Sequence, residues 1–192
     1  MATISTNEFK TGVKVEVDGQ PYTIVSNDFC KPGKGQAFNR VRIKHLLTGR
    51  VIERTFKSGE KLDLADVVEL KMRMLYKEAD GVIFMDEATF EQHNIPHANL
   101  EGVSQWLMPD QLYDVIFYKS IPVTVEPPTF MEMRIVETSP GDRGNTASGR
   151  VLKPAVTDSG AKIQVPIFIE QDEMVKVDTR TGDYVSRVTS SN

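Results

Sequence analysis

Cysteine is nearly absent from this chain of 192 residues, because Cys30 is its single thiol. One thiol excludes an internal disulfide framework and is typical of a reducing compartment, so we expect a cytoplasmic protein. Long apolar stretches are absent too. The N-terminus lacks the apolar segment of a signal peptide, and no run approaches the about 20 residues of a membrane-spanning helix. We therefore expect no membrane partner.

Patterns that carry catalysis or metal binding are also missing. Lys34 follows Gly33 and precedes Gly35, whereas the lysine of a Walker phosphate-binding loop is followed by Ser or Thr. His93 and His97 have the spacing of ligands on a helix, but Pro96 breaks that helix and no Glu follows His93 in the zincin manner. We predict that the protein is not an enzyme, with no catalytic residue and no metal.

Proline and glycine are frequent instead, with ten prolines and thirteen glycines along the chain. Such punctuation favours short strands over long helices, and apolar residues alternate with polar ones in many short runs. Pro127-Pro128 marks a boundary, since neither residue can continue a sheet interior. We predict an all-β fold of three small β-barrel domains in series, at residues 1–65, 66–127 and 128–192, the last two having the size of five-stranded OB barrels.

The net charge of −4 argues against a general nucleic-acid binder, but the charge is unevenly distributed. Residues 1–65 hold eleven Lys or Arg against seven Asp or Glu, a net charge of +4. Residues 66–127 hold four against eleven, or −7, and residues 128–192 hold eight against nine, or −1. The basic first segment indicates a polyanionic partner at one end of the molecule, although a solvated basic face is the commoner explanation.

A proline-glycine turn separates two predicted strands of the first domain, Pro21–Phe29 and Ala37–Leu47. Proline presets φ at such a turn, and the two glycines that follow it accept a positive φ. The product is a hairpin tip that holds one lysine away from the body. That lysine is either an ordinary solvated side chain or one presented to a partner or a modifying enzyme. The tip consists of Lys31, Pro32, Gly33, Lys34, Gly35 and Gln36.

The strand after the tip carries a row of cations. Residues 38–44 alternate apolar with polar or basic side chains, which places the two kinds on opposite faces of a strand. A row of three cations suits phosphate groups, although solvent exposure explains it equally well. We expect Arg40, Arg42 and Lys44 on one face, Phe38, Val41 and Ile43 near the other, and a one-residue irregularity at Asn39.

Three further segments have less regular patterns. Residues 57–61 are polar and predict the approach to a linker, and residues 87–93 predict one or two helical turns. Residues 139–149 are rich in Gly, Ser, Thr and Asn, and they predict an exposed loop. Loops of this length are uncommon without a function, so the pattern favours a binding role.

The lysine loop and the C-terminal third of the chain point to the same family. Residues 29–38 resemble the lysine loop of bacterial elongation factor P. The resemblance covers essentially the whole chain without a long insertion, and two separate motifs in the right order are more specific than the loop alone. The segments similar to the family's C-terminal signature are residues 153–155, 159–160, 163–166, 175–180 and 182–188.

The resemblance implies a fold and a role. The fold is an N-terminal SH3-like (KOW-type) barrel followed by two OB barrels, with an L-shaped outline similar to that of tRNA. The role is that of a translation elongation factor that binds the 70S ribosome beside peptidyl-tRNA and relieves stalling at consecutive prolines. It further implies that Lys34 carries a covalent extension, such as β-lysyl, added by a lysine-modifying enzyme, and that the protein is a monomer without another cofactor.

The resemblance also implies RNA contacts in the third domain. The family's loop carries a Gly-Asp-Thr-Ala motif near messenger RNA, and this chain has Asn145 in place of its Asp, which removes a charge but adds donors. Asp172 stands where the signature usually has glycine, and Asp tolerates left-handed turns, so we expect the fold to be kept. The RNA-binding positions implied in this domain are Gly144, Asn145, Thr146, Ala147, Tyr184 and Arg187.

Two other functions stay open at this point. An elongation-factor-P-like paralogue would have a different ribosomal task, but such relatives usually lack the tip lysine that this chain has as Lys34. An RNA-binding module of OB barrels that acts off the ribosome would bind free RNA in a salt-sensitive manner. A translation factor, by contrast, binds the ribosome specifically and free RNA weakly.

Overall fold

Alternating apolar residues build three successive β-sheets along the chain. The computed structural model describes residues 2–140 and 151–189. The predicted all-β class is confirmed, since the only helices in this described part are three short 3-10 turns. Within the same residues, no helix has the length and apolar character needed to cross a membrane.

Six antiparallel strands form the first sheet. They are β1 (Thr3–Ser5), β2 (Lys14–Val17), β3 (Gln20–Cys30), β4 (Phe38–His45), β5 (Val51–Lys57) and β6 (Lys61–Leu64), with a 3-10 turn η1 (Thr6–Glu8) after β1. Their order across the sheet is β1-β6-β2-β3-β4-β5. The β2–β3 hairpin turns at Asp18 and Gly19, whose φ values of 53° and 74° fit a type I′ turn.

Five antiparallel strands form the second sheet. They are β7 (Val67–Lys77), β8 (Gly81–Asp86), β9 (Gln92–Pro96), β10 (Leu112–Tyr118) and β11 (Ile121–Glu126). Their order is β11-β10-β7-β8-β9. Two 3-10 turns, η2 (His97–Leu100) and η3 (Ser104–Trp106), lie between β9 and β10.

A closed barrel of five strands forms the third sheet. They are β12 (Phe130–Thr138), β13 (Leu152–Thr157), β14 (Lys162–Pro166), β15 (Met174–Asp178) and β16 (Asp183–Arg187). Their order is β12-β13-β14-β16-β15. In the second and third sheets alike, the first strand lies between the second and the fourth, so the two sheets share one strand order.

Two local predictions are wrong, and both concern turns between successive strands. Residues 57–61 are not the approach to a linker, because they turn the chain from β5 into β6 within the first sheet. Residues 87–93 do not form helical turns, because they lead from β8 into β9. The Asp86 carboxylate accepts the N–H of Ala88 at 2.7 Å, which stabilises a turn at this point.

Strand β13 lies where no strand was predicted. Pro154 interrupts its apolar pattern, and a proline without an N–H normally indicates an edge strand. β13 nevertheless pairs with β12 on one side and with β14 on the other. The Pro154 carbonyl accepts the Thr138 hydroxyl at 2.9 Å, which gives this residue a side-chain partner on the neighbouring strand.

Buried apolar side chains form three clusters that join the sheets unequally. The first sheet has a core of its own. The second and third sheets share one larger core, which includes Trp106 of η3. A small third cluster joins the first sheet to the second, where Leu46 packs with Ile116, Tyr118 and Val123.

Two polar contacts reinforce the junction between the first and second sheets. Lys14 Nζ lies 2.5 Å from Glu126 Oε1, and the lysine side chain is largely buried. The Tyr118 hydroxyl donates to Glu16 Oε1 at 2.8 Å. Because these polar contacts are directional, they define the orientation of the first sheet relative to the second better than the small apolar cluster does alone.

Hydrogen bonds of the Tyr113 side chain stabilise the segment between η3 and β10. Its hydroxyl is buried, accepts the Met108 N–H at 2.8 Å and donates to the Trp106 carbonyl at 2.7 Å. Burial raises the pKa of Tyr113 to about 12. The hydroxyl is therefore a neutral group that satisfies two backbone groups beside the shared core.

Removing this hydroxyl tests its contribution to stability. We expect Tyr113→Phe to lower the free energy of unfolding by about 1–3 kcal/mol, because it leaves two backbone groups without a partner. Urea denaturation measures the difference. Tyr76→Phe is the control, since Tyr76 is 49% exposed, and its effect should stay below about 0.5 kcal/mol. Equal effects of the two substitutions would contradict the structural role of the buried hydroxyl.

Candidate functional site

A long hairpin of the first sheet presents the lysine tip. β3 has 11 residues, and it pairs with β4 from Tyr22 opposite His45 to Cys30 opposite Phe38. β4 also pairs with β5, which supports it along its other side. Strand pairing ends at Cys30 and Phe38, so residues 31–37 form an unpaired loop at the end of the hairpin.

Only one of the two glycines beside Lys34 has a positive φ. Gly35 has a φ of 119°, which side chains rarely adopt, and a Cβ there would lie 3.6 Å from Pro32 Cγ. Gly33 is not at positive φ, so the prediction of a left-handed glycine directly after the proline is wrong.

The tip is exposed along its length. Residues 31–36 all face solvent, and the first anchored residue after them is Ala37, whose carbonyl accepts the Ser58 N–H at 3.0 Å. In the described part of the chain, Lys34 forms no ion pair and no hydrogen bond. Its amino group is therefore free for covalent modification or for contact with a phosphate.

The predicted cation row lies on the outer face of β4. Arg40 and Arg42 are exposed, and Lys44 is half-buried. Arg40 Nε lies 3.5 Å from Glu53 Oε1, and Asp28 stands opposite Arg40 on β3. Carboxylates therefore offset part of the positive charge of the row.

The predicted division of β4 into two faces is wrong at its first two residues. Asn39 is buried on the inner face with Val41 and Ile43, whereas Phe38 lies on the outer face with the cations. β4 alternates without a break, so no irregularity occurs at Asn39. The apolar character of Phe38 and the polar character of Asn39 were misleading, because asparagine is seldom buried.

Asn39 is buried because Asn27 provides a partner. Asn39 Nδ2 donates to Asn27 Oδ1 at 2.8 Å, and Asn27 Nδ2 donates to the carbonyls of Phe9 at 3.2 Å and Thr6 at 3.4 Å. Asn39 Oδ1 is buried without a hydrogen-bond partner among the described residues. This amide pair ties the base of the lysine hairpin to the N-terminal segment. Sequence reasoning missed it, although a polar residue within an apolar alternation was a signal.

Two of the site residues implied in the third domain, Tyr184 and Arg187, lie on a different sheet from the tip. Tyr184 on β16 is half-buried, and burial raises its pKa. Arg187 Nη2 lies 3.0 Å from Glu173 Oε1, and its guanidinium lies 5.4 Å from the Phe168 ring centroid. Arg187 is therefore already engaged within its own domain. Gly144, Asn145, Thr146 and Ala147 lie outside the described residues.

The two histidines with helical spacing do not share a helix. His93 lies on β9, and its ring packs edge-on against Phe117 at 5.2 Å between centroids. His97 begins η2, and its Nε2 lies 2.9 Å from the Glu78 carbonyl. Across residues 2–140 and 151–189, no group of three or more His, Cys, Asp or Glu is placed to hold a metal ion.

Three family models match successive parts of the chain. The Elongation factor P (EF-P) KOW-like domain matches residues 5–62. The Elongation factor P (EF-P) OB domain matches residues 67–125, and the model described as Elongation factor P, C-terminal matches residues 131–187. The three matches follow the order of the three sheets.

Known proteins are similar to this chain over most or nearly all of its length. "Elongation factor P 2" of Protochlamydia amoebophila (strain UWE25) is 70% identical over 190 residues, which are 99% of this chain and 100% of that protein. "Elongation factor P 2" of Chlamydia pneumoniae is 60% identical over 189 residues, 98% of this chain and 100% of that protein. The solved structure titled "Eukaryotic translation initiation factor 5A from Methanococcus jannaschii" is 26% identical with a TM-score of 0.50, and the match covers 65% of this chain and 93% of that one.

The two tip glycines provide a matched pair of substitutions. We expect Gly35→Ala to lower the free energy of unfolding by about 1–2 kcal/mol, because a side chain is disfavoured at its φ. Gly33→Ala should match the parent or exceed it slightly, since a Cβ at Gly33 meets nothing within 4 Å. Urea denaturation of both variants measures the difference. A loss of stability in Gly33→Ala as large as that in Gly35→Ala would show that the tip has another conformation.

Proposed function

This chain belongs to the elongation factor P family of translation factors, and from that membership we propose that it binds the ribosome beside peptidyl-tRNA and stimulates peptide-bond formation at consecutive prolines. The observation that carries the proposal is the exposed hairpin tip with Lys34 in it. A tip without packed side chains fits a narrow channel that a folded domain cannot enter. The lysine is thus the group that approaches the reacting ends.

The proposed mechanism is positioning. Proline is a slow substrate because its ring fixes φ and restricts the geometry at its nitrogen. A factor that orders the CCA end of the peptidyl-tRNA raises the rate by holding the reactants in place, without acid–base chemistry of its own. In this proposal Lys34 supplies a cation that reaches along the tRNA backbone, and the small glycines beside it permit close approach.

The charge distribution supports an approach of the first domain to tRNA. Residues 1–65 have a net charge of +4, and contacts with phosphates supply affinity without reading sequence. Within this segment, Glu53 lies beside Arg40 and Asp28 stands opposite Arg40, so carboxylates offset part of the cation row.

We also infer a covalent extension of Lys34, such as β-lysyl, added by a modifying enzyme. The exposed tip supports this inference, because an enzyme can reach the amino group without unfolding the hairpin. In the third domain, the proposed contacts are with messenger RNA through the loop at residues 139–149, together with Tyr184 and Arg187. The ribosomal role implies a cytoplasmic protein, and we propose that it acts as a monomer.

Lys34→Ala tests the role of the tip. The variant should keep the melting temperature of the parent, because an exposed lysine has little packing, but it should lose most of the stimulation of a Pro-Pro-Pro reporter in reconstituted translation. Lys10→Ala is the control, since Lys10 is another exposed lysine of the first domain, and it should keep the parental stimulation. Equal reporter synthesis by Lys34→Ala and the parent would contradict the proposed mechanism.

Mass spectrometry tests the extension separately. The peptide that contains Lys34, from protein purified from its own organism, should have a mass above that of the unmodified sequence, with the added group located on Lys34 by fragmentation. The same peptide from Lys34→Ala protein provides the control and should carry no addition. An unmodified Lys34 would contradict the extension and would leave the positioning role to the bare lysine.

A further inference from the structure

The turn between β8 and β9 presents an exposed aromatic side chain in a defined position. Asp86 N donates to the Glu91 carbonyl at 2.9 Å, and Phe90 N donates to the Asp86 carbonyl at 2.9 Å. The Asp86 carboxylate also accepts the Ala88 N–H at 2.7 Å. These bonds hold the turn together, yet Phe90 is 71% exposed.

Phe90 has a backbone conformation that its own side chain disfavours. Its φ of 61° lies in the left-handed region, where Cβ crowds the following carbonyl oxygen. The other non-glycine residues at positive φ in the described part of the chain are Asp, Lys or Ser, so Phe90 is the single aromatic residue among them. Glycine or asparagine would fit this turn better, and folding alone does not account for a phenylalanine here.

Packing within the chain does not account for it either. Among the described residues, the Phe90 ring has no aromatic partner and no cation over its face. A strained, largely exposed residue without an aromatic or cationic partner in its own fold indicates a function outside it. Aromatic side chains, phenylalanine among them, are enriched in the cores of protein interfaces.

The charge around Phe90 indicates the kind of partner. The turn belongs to residues 66–127, whose net charge is −7, and it contributes the exposed Glu87 and Glu91. Arg73 offsets part of this charge, since its Nε lies 2.5 Å from Glu87 Oε1. Phosphates would be repelled by such a surface, whereas a basic protein surface is complementary to it.

We propose that Phe90 is a docking anchor that inserts into an apolar pocket on a basic protein surface of the ribosome. The proposal rests on the ribosomal role proposed above and adds a second point of attachment to it. The lysine tip contacts tRNA from the first sheet, and Phe90 secures the acidic second domain to protein.

Phe90→Asn separates backbone strain from docking. Asparagine tolerates this φ, so the melting temperature should rise by about 2–4 °C. Affinity for purified 70S ribosomes should fall about tenfold or more, because the anchor is lost. Phe90→Tyr keeps the ring and should keep the parental affinity. Ser120→Asn is the matched control: Ser120 has a φ of 67° in an exposed turn of the same sheet, and relief of strain there should leave affinity unchanged.

Photocrosslinking identifies the class of partner. With Phe90→p-benzoylphenylalanine, irradiation of the complex with 70S ribosomes should produce an adduct to a basic ribosomal protein. The same probe introduced as Ile121→p-benzoylphenylalanine is the control, since Ile121 is 62% exposed on the same sheet, and it should not give this adduct. An adduct to ribosomal RNA alone would overturn the proposal, because it would assign Phe90 to stacking on a base.

An unchanged ribosome affinity of Phe90→Asn would also overturn the proposal. If Lys34→Ala still loses reporter stimulation in that case, the ribosomal role stands and only the anchor fails. If the parent protein does not bind 70S ribosomes and Lys34→Ala keeps full reporter synthesis, the ribosomal role itself fails.

Discussion

The register between β3 and β4 is the constraint on which the presentation of Lys34 depends. A slip of one residue would turn every side chain of β4 to the opposite face. Burial of the apolar alternation favours the observed register, and the hydrogen bond from Asn39 to Asn27 specifies it a second time, because an amide pair has fewer acceptable geometries than an apolar contact. With this register, Cys30 and Phe38 form the last pair, and the loop begins at the next residue.

The three sheets are coupled to different degrees. The second and third share one core, so they cannot separate without exposing apolar surface from both. The first sheet contacts the second through a small cluster around Leu46 and through the contacts of Lys14 with Glu126 and Tyr118 with Glu16. The junction between the first and second sheets is therefore the weaker of the two. A partner that contacts both the tip and the acidic domain would bridge this junction.

Sequence patterns predicted the exposed tip and the all-β class, because each depends on local alternation and turn chemistry. The left-handed φ of 69° at Asp172 fits the tolerance expected of Asp there. The inner position of Asn39 and the strand around Pro154 could not be predicted, since each depends on a residue distant in sequence, Asn27 and Thr138 respectively. The strain at Phe90 has no sequence signature at all.

The tip described above separates the chemistry of the molecule from its stability. No residue between Lys31 and Gln36 belongs to a core, so the free energy of folding places almost no restriction on the side chain at position 34. The rest of the protein therefore holds position 34 at a fixed place, whatever side chain that position carries. A synthetic side chain of different length at this position would therefore show how far the group must extend in the proposed role, while the fold of the rest of the protein stays the same.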